Sequence, residues 1–101
     1  VSALTKNLAD ELGPFGINVT VIHPGFTRTE ATESFITERA SELDKEPKEI
    51  EVELAKNNSV KRVIESTDIA YVAIMIASPK SIAINGDVIA AGGGVGSSIY
   101  Y

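Results

Sequence analysis

"INVTVIHPGFTRTE", residues 17–30, is the stretch on which the fold turns. Ile17, Val19 and Val21 fall on one side of an extended chain, and Asn18, Thr20 and Ile22 on the other. That alternation predicts a strand of about five or six residues, stopped by His23 and Pro24. Pro24 fixes φ and turns the chain, Gly25 keeps its backbone bare, and Thr27 and Thr29 place small hydroxyls on either side of Arg28. Such a corner is a turn in any fold. In an open parallel sheet it is also where ligands sit, beyond the carboxyl ends of the strands.

The sequence before and after the strand decides between those cases. Val1, Leu4, Leu8 and Leu12 recur at three- and four-residue spacing and predict a helix over residues 1–12, closed by a left-handed Gly13 and stopped by Pro14. Residues 30–57 are polar, with nine acids (Glu30, Glu33, Glu38, Glu42, Asp44, Glu46, Glu49, Glu51, Glu53) against Arg39, Lys45, Lys48 and Lys56. They read as one or two helices broken near Pro47, lying over the domain body as a flap. "TDIAYVAIMIAS", residues 67–78, predicts a helix capped by Ser66 or Thr67, with Asp68 in its first turn. It is apolar nearly all round, which implies burial on more than one side. Pro79 ends it, Asn85-Gly86 makes a turn, residues 87–91 form a short strand, and a glycine run follows, read as a tight turn at the chain end. Strands alternating with helices indicate a parallel sheet in an α/β fold. Two strands are too few for a stable sheet, so the chain reads as a piece of a larger domain.

Composition narrows the function. The chain has 101 residues, 44% of them apolar, a net charge of -5 and no cysteine. Disulfides and thiolate metal sites are excluded, a reducing cytoplasm fits, and neither nucleic acid nor an anionic membrane is the expected partner. No apolar run approaches the roughly 20 residues that span a bilayer, and the opening "VSALTKNLADEL" does not read as a signal peptide.

"VSALTKNLADELGPFGINVTVIHPGFTRTE" and "SVKRVIESTDIAYVAIMIAS...INGDVIAAGGG" resemble the C-terminal part of the short-chain dehydrogenase/reductase family over residues 1–30 and 59–94. The resemblance implies the C-terminal portion of a Rossmann-like doubly wound parallel sheet, with residues 30–62 as the variable substrate-side flap. It also implies NAD or NADP as cofactor and a small carbonyl or alcohol substrate. The family's Tyr-x-x-x-Lys pair would fall before Val1, so no catalytic residue is assigned within residues 1–101. The family's P-G-x-x-x-T pattern, which lies against the nicotinamide and pyrophosphate, matches Pro24, Gly25 and Thr29. Pro24, Gly25, Thr27 (through its backbone N–H) and Thr29 (through its hydroxyl) are therefore the cofactor-binding candidates. A second pattern of the family, Arg-x-Gly-x-Pro-Glu-Asp-Ile-Ala, is kept at Arg62, Asp68, Ile69 and Ala70. It departs at Ile64, where the family has glycine, and at Ser66 and Thr67, and in the family's Asp-Gly-Gly ending Gly92 replaces the acid.

Other features have plainer readings. Arg28 reads as a solvated side chain or one that reaches a phosphate, and His23 as a hydrogen-bonded residue at a strand end. The glycines of "GGGVGSS" do not open a helix, so they are not a phosphate loop. The clustered carboxylates lie among lysines and read as a solvated face, with no metal site assigned. Phe35, Ile36 and Leu43 offer apolar contact to a substrate. The resemblance implies homo-oligomers formed through residues 66–91 and the first helix, and residues 1–101 alone are expected to show no turnover. The alternative is a non-catalytic oligomerisation or interaction module derived from the same fold.

Overall fold

The computed structural model describes residues 1–94. The end of the glycine run around Gly96, read above as a tight turn, lies outside the described residues. The elements are α1 (Ser2–Leu12), β1 (Val21–Pro24), β2 (Thr27–Arg28), α2 (Glu30–Leu43), α3 (Pro47–Ala55), β3 (Ile64–Glu65), α4 (Ser66–Ala77) and β4 (Val88–Ala91). Single turns of 3₁₀ helix follow α1 and α4. β1 pairs with β4 and β2 with β3, both in parallel. The α/β reading with a parallel sheet stands, and β2 and β3 are strands that the sequence did not signal because each has only two residues.

The central strand starts and ends later than its alternation predicts. The β1–β4 register runs from Val21↔Val88 to Pro24↔Ala91, so the ladder exists only where β4 offers a partner. Residues before it are held by the Asn85–Gly86 turn instead. Asn85 Oδ1 accepts from Val19 N at 2.8 Å, and Gly86 N donates to Val19 O at 2.8 Å. Gly86 has φ 73°, the left-handed value this turn requires. His23 and Pro24 do not stop the strand but finish it, and a proline is tolerated at a strand terminus, where its missing donor costs least.

Two helix boundaries also differ. Gly13 is right-handed (φ -55°, ψ -45°) and leads into a 3₁₀ turn with Pro14 in its first positions; the left-handed residue is Gly16, at φ 79°. Proline needs no donor at the start of a turn, so the chain tightens before it reverses. At α4 the N-cap is Glu65, not Ser66 or Thr67. Asp68 Oδ2 accepts from Glu65 N at 2.9 Å, which uses the acid three residues in as the reciprocal half of a capping box.

Burial follows small residues and the acidic helix pair more than it follows the leucine stripe. In α1 the buried residues are Thr5 and Ala9, whereas Val1 and Leu4 are exposed. Ala9 lies against Gly86, where an added Cβ would come within 3.3 Å of the alanine methyl. That seam brings α1 onto the turn before β4. α2 and α3 break near Pro47 as expected and pack on each other through Ile36, Ala40, Ile50 and Leu54. Each isoleucine buried there contributes about 1.5–3 kcal/mol, enough to hold an acidic pair together.

α4, predicted to be buried on several sides, contains no buried residue, with Tyr71, Ile74 and Met75 at 63%, 66% and 68% exposure. The physical reason is that nothing in residues 1–94 covers its outer face. The radius of gyration of 16.9 Å agrees, since a compact domain of about 100 residues measures roughly 13 Å. Among the described residues no helix is long and apolar enough to cross a membrane.

Candidate functional site

The corner is built from backbone. Pro24 ends β1 opposite Ala91 of β4, and the chain turns at Gly25 beside Gly92. A Cβ added to Gly25 would sit 2.9 Å from the Gly92 Cα, closer than real Cβ atoms come to backbone, so two bare backbones meet there. The Thr27 hydroxyl donates to Gly25 O at 3.0 Å and closes the turn, placing Thr27 opposite Ile64 where β2 meets β3. Thr29 is the N-cap of α2: its Oγ1 accepts from Thr32 N at 3.3 Å, and its own N–H donates to Thr32 Oγ1 at 2.7 Å. Capping uses a lone pair of the Thr29 hydroxyl, which also lies 3.4 Å from Thr32 Oγ1, itself a donor to the carbonyls of Thr27 and Thr29. A cavity of about 110 Å³ opens at the corner, lined by Gly25, Phe26, Leu54, Asn57, Asn58 and Gly92.

Arg28 is neither solvated nor placed to take a phosphate. Its Nε donates to Glu65 at 2.9 Å and its Nη1 to Glu33 at 2.7 Å and to Glu51, with the side chain 26% exposed. These bonds, Glu51 first, then Glu33 and Glu65, raise its pKa further above its already high ordinary value. The guanidinium is charged at any working pH, and three carboxylates around it leave the cluster net negative, which repels a phosphate. Its role is to clasp β2 to α2, to α3 and to the start of α4.

The glycine run contributes residues that the motif did not. Gly93 and Gly94 are left-handed, at φ 76° and 82°. Gly93 O accepts from Ser59 N at 3.0 Å and Val60 N at 3.1 Å. A Cβ on Gly93 would meet Val60 Cγ2 at 2.8 Å and Ile64 Cδ1 at 3.0 Å. Ile64, which replaces the family's glycine, thus fills space that Gly93 leaves.

Residues 1–96 match the family described as enoyl-(acyl carrier protein) reductase. The chain belongs to the short-chain dehydrogenase/reductase family. It is 32% identical over 94 residues to the short-chain reductase protein NovJ of Streptomyces niveus, covering 93% of this chain and 34% of NovJ. It is 30% identical over 95 residues to the NADPH-dependent reductase BacG of Bacillus subtilis, covering 94% of this chain and 37% of BacG. A short-chain dehydrogenase family protein of Francisella tularensis aligns with TM-score 0.81 at 26% identity, over 96% of this chain and 40% of that one. The fold is therefore the family's Rossmann-like α/β fold, and the chain spans about a third of the length of the curated relatives it matches.

Pro24, Gly25, Thr27 and Thr29, the candidates read from the sequence, fall on one continuous stretch that runs from the end of β1 through β2 to the N-cap of α2. Sequence reasoning missed Gly92 as the partner of Gly25, and Glu33, Glu51 and Glu65 as partners of Arg28. The glycine run was the signal for the first; no local pattern ties the three acids to Arg28. His23 lies on β1 opposite Ala90. Among the described residues no group of three or more His, Cys, Asp or Glu side chains could hold a metal ion.

Proposed function

We propose that the protein carrying this chain is an oxidoreductase that moves a hydride between the nicotinamide of NAD or NADP and a carbonyl or alcohol carbon of a small molecule. Residues 1–101 would form the C-terminal portion of a single Rossmann-fold domain, with residues 30–62 as the flap on the substrate side. The observation that carries the reading is the corner at the carboxyl ends of the parallel strands β1 and β4, where the Gly25 and Gly92 backbones meet and a cavity of about 110 Å³ opens beside them.

The corner's residues fit such a coenzyme. Pro24 and Gly25 would form the wall beside the nicotinamide ring. The Thr27 backbone N–H would serve the carboxamide, and the Thr29 hydroxyl, turning away from Thr32, would serve the carboxamide or a phosphate. When bound, the coenzyme supplies the hydride; residues of this chain orient it and, through α2 and α3, exclude water. The proton-transferring tyrosine, its lysine and the serine would come from the rest of the protein, since no Tyr-x-x-x-Lys occurs in residues 1–101. BacG's NADPH dependence supports the coenzyme class, and the lack of cysteine favours a cytoplasmic setting.

Titration of the full-length protein with NADH and NADPH, followed by turnover on a panel of ketones and alcohols, tests this. Binding and turnover are expected from the full-length protein and no turnover from residues 1–101. Failure of both coenzymes to bind the full-length protein would overturn the proposal and favour a non-catalytic interaction module. The face of α4 with Tyr71, Ile74 and Met75, which residues 1–94 leave uncovered, would be filled by other residues of the same domain or, in a homo-oligomer, by another copy of the protein.

A further inference from the structure

The α2–α3 pair carries on one flank a groove of about 580 Å³, within the roughly 300–1,000 Å³ typical of small-molecule sites. Phe35 and Leu43 of α2 and Leu54 of α3 supply apolar walls, and Phe35 and Leu43 remain 47% and 46% exposed. Arg39, one turn along α2 from Phe35, and Lys45, just past α2, add two cations to the lining. These cations are unexpected in so acidic a segment. Glu53, the groove's one acid, is already paired with Lys56 at 3.2 Å. Neither Arg39 nor Lys45 makes an ion pair among the described residues. Leu54 and Asn57 line both this groove and the small cavity at Gly25 and Gly92. The groove and the corner cavity are therefore neighbours that share two lining residues.

We infer that the substrate carries an apolar body and a carboxylate, with its reacting carbon toward the Gly25 corner and its carboxylate held by Arg39 and Lys45. With Glu53 neutralised by Lys56, Arg39 and Lys45 are the charges left in the lining to meet an anion, and the apolar walls beside them suit an anion borne on an apolar body. An arginine fork recognises a carboxylate through paired hydrogen bonds, and the lysine adds a point charge. The placement of the reacting carbon rests on the dehydrogenase reading, whereas the binding of an apolar carboxylate does not.

Calorimetric titration of the full-length protein with phenylpropionate and with phenylpropionamide separates the two. The acid is expected to bind about tenfold tighter than the amide, and the double variant Arg39→Gln, Lys45→Gln is expected to abolish that preference while leaving amide binding unchanged. Equal binding of acid and amide, no binding of either, or a preference that survives in the variant overturns the inference. In turnover, benzoylpropionate is expected to show a KM about tenfold lower than its methyl ester, with the variant raising KM for the acid alone and leaving kcat unchanged. Equal KM values for acid and ester would overturn the groove assignment. A binding preference without turnover of any ketone or alcohol would leave the groove standing and sink the dehydrogenase reading.

Discussion

α4 and the α2–α3 pair reverse the usual relation between composition and burial. α4 reads IAYVAIMIA through its middle yet has no buried residue, while the pair, with nine acids in residues 30–57, holds Ile36, Ala40 and Ile50 in a shared core. Apolar content states what a helix has available to bury. What it does bury depends on whether a facing surface exists. α3 supplies that surface for α2 within a few residues of chain, and Arg28 fastens both to the sheet. α4 faces β1 on one side and water on the other.

If the helix pair is a self-contained unit, its core should matter most. Ile36→Ala is expected to cost about 2–5 kcal/mol, read as faster hydrogen exchange across residues 30–55 with β1 and β4 protected. Loss of protection in β4 as well would show that the pair and the sheet unfold together. Gly25→Ala probes the sheet side. Its methyl would meet the Gly92 backbone at 2.9 Å, and forcing the strands apart is expected to cost about 1–3 kcal/mol and to weaken coenzyme binding about tenfold or more. A variant of unchanged melting temperature and coenzyme affinity would show that the corner has slack. Arg28→Ala breaks the link between the two regions. The half-exposed carboxylates of Glu33 and Glu65 recover water, so about 1–2 kcal/mol is expected, with looser α2–α3 exchange and little change at β1. A cation whose pKa is raised on folding contributes fully below its unfolded value and loses that contribution as pH rises from there through the folded value; both lie above the working range, so alkaline titration within it should leave this clasp in place.

The order of elements and the turn carrying the candidate site were legible in the sequence because their signals are local. Alternation marks a strand, Pro47 marks the break between α2 and α3, and Pro-Gly marks the corner. The strand limits were not legible, since β1 begins where β4 can pair with it and not where its β-branched run begins. Nor was the reason for Gly25, which abuts Gly92, 67 positions further along the chain. The Arg28 clasp joins acids from three separate elements, and any of the nine acids of residues 30–57 would have looked as good a partner as Glu33 or Glu51.

Ile74→Glu returns to α4 and sharpens the comparison with the smallest effect on the fold. Ile74 is 66% exposed, so within one copy of the protein the glutamate reaches water and stability should stay within about 0.5 kcal/mol of the original. If a second copy covers the face, the same glutamate would bury an unpaired charge in an apolar contact, and light scattering of the full-length protein should show the assembly dissociating into folded subunits. If other residues of the same domain cover α4, the substitution should instead lower the melting temperature steeply without a soluble smaller species. The two results differ in kind, because a helix that borrows its partner from another molecule can lose that partner and remain folded, whereas one that borrows it from its own domain cannot.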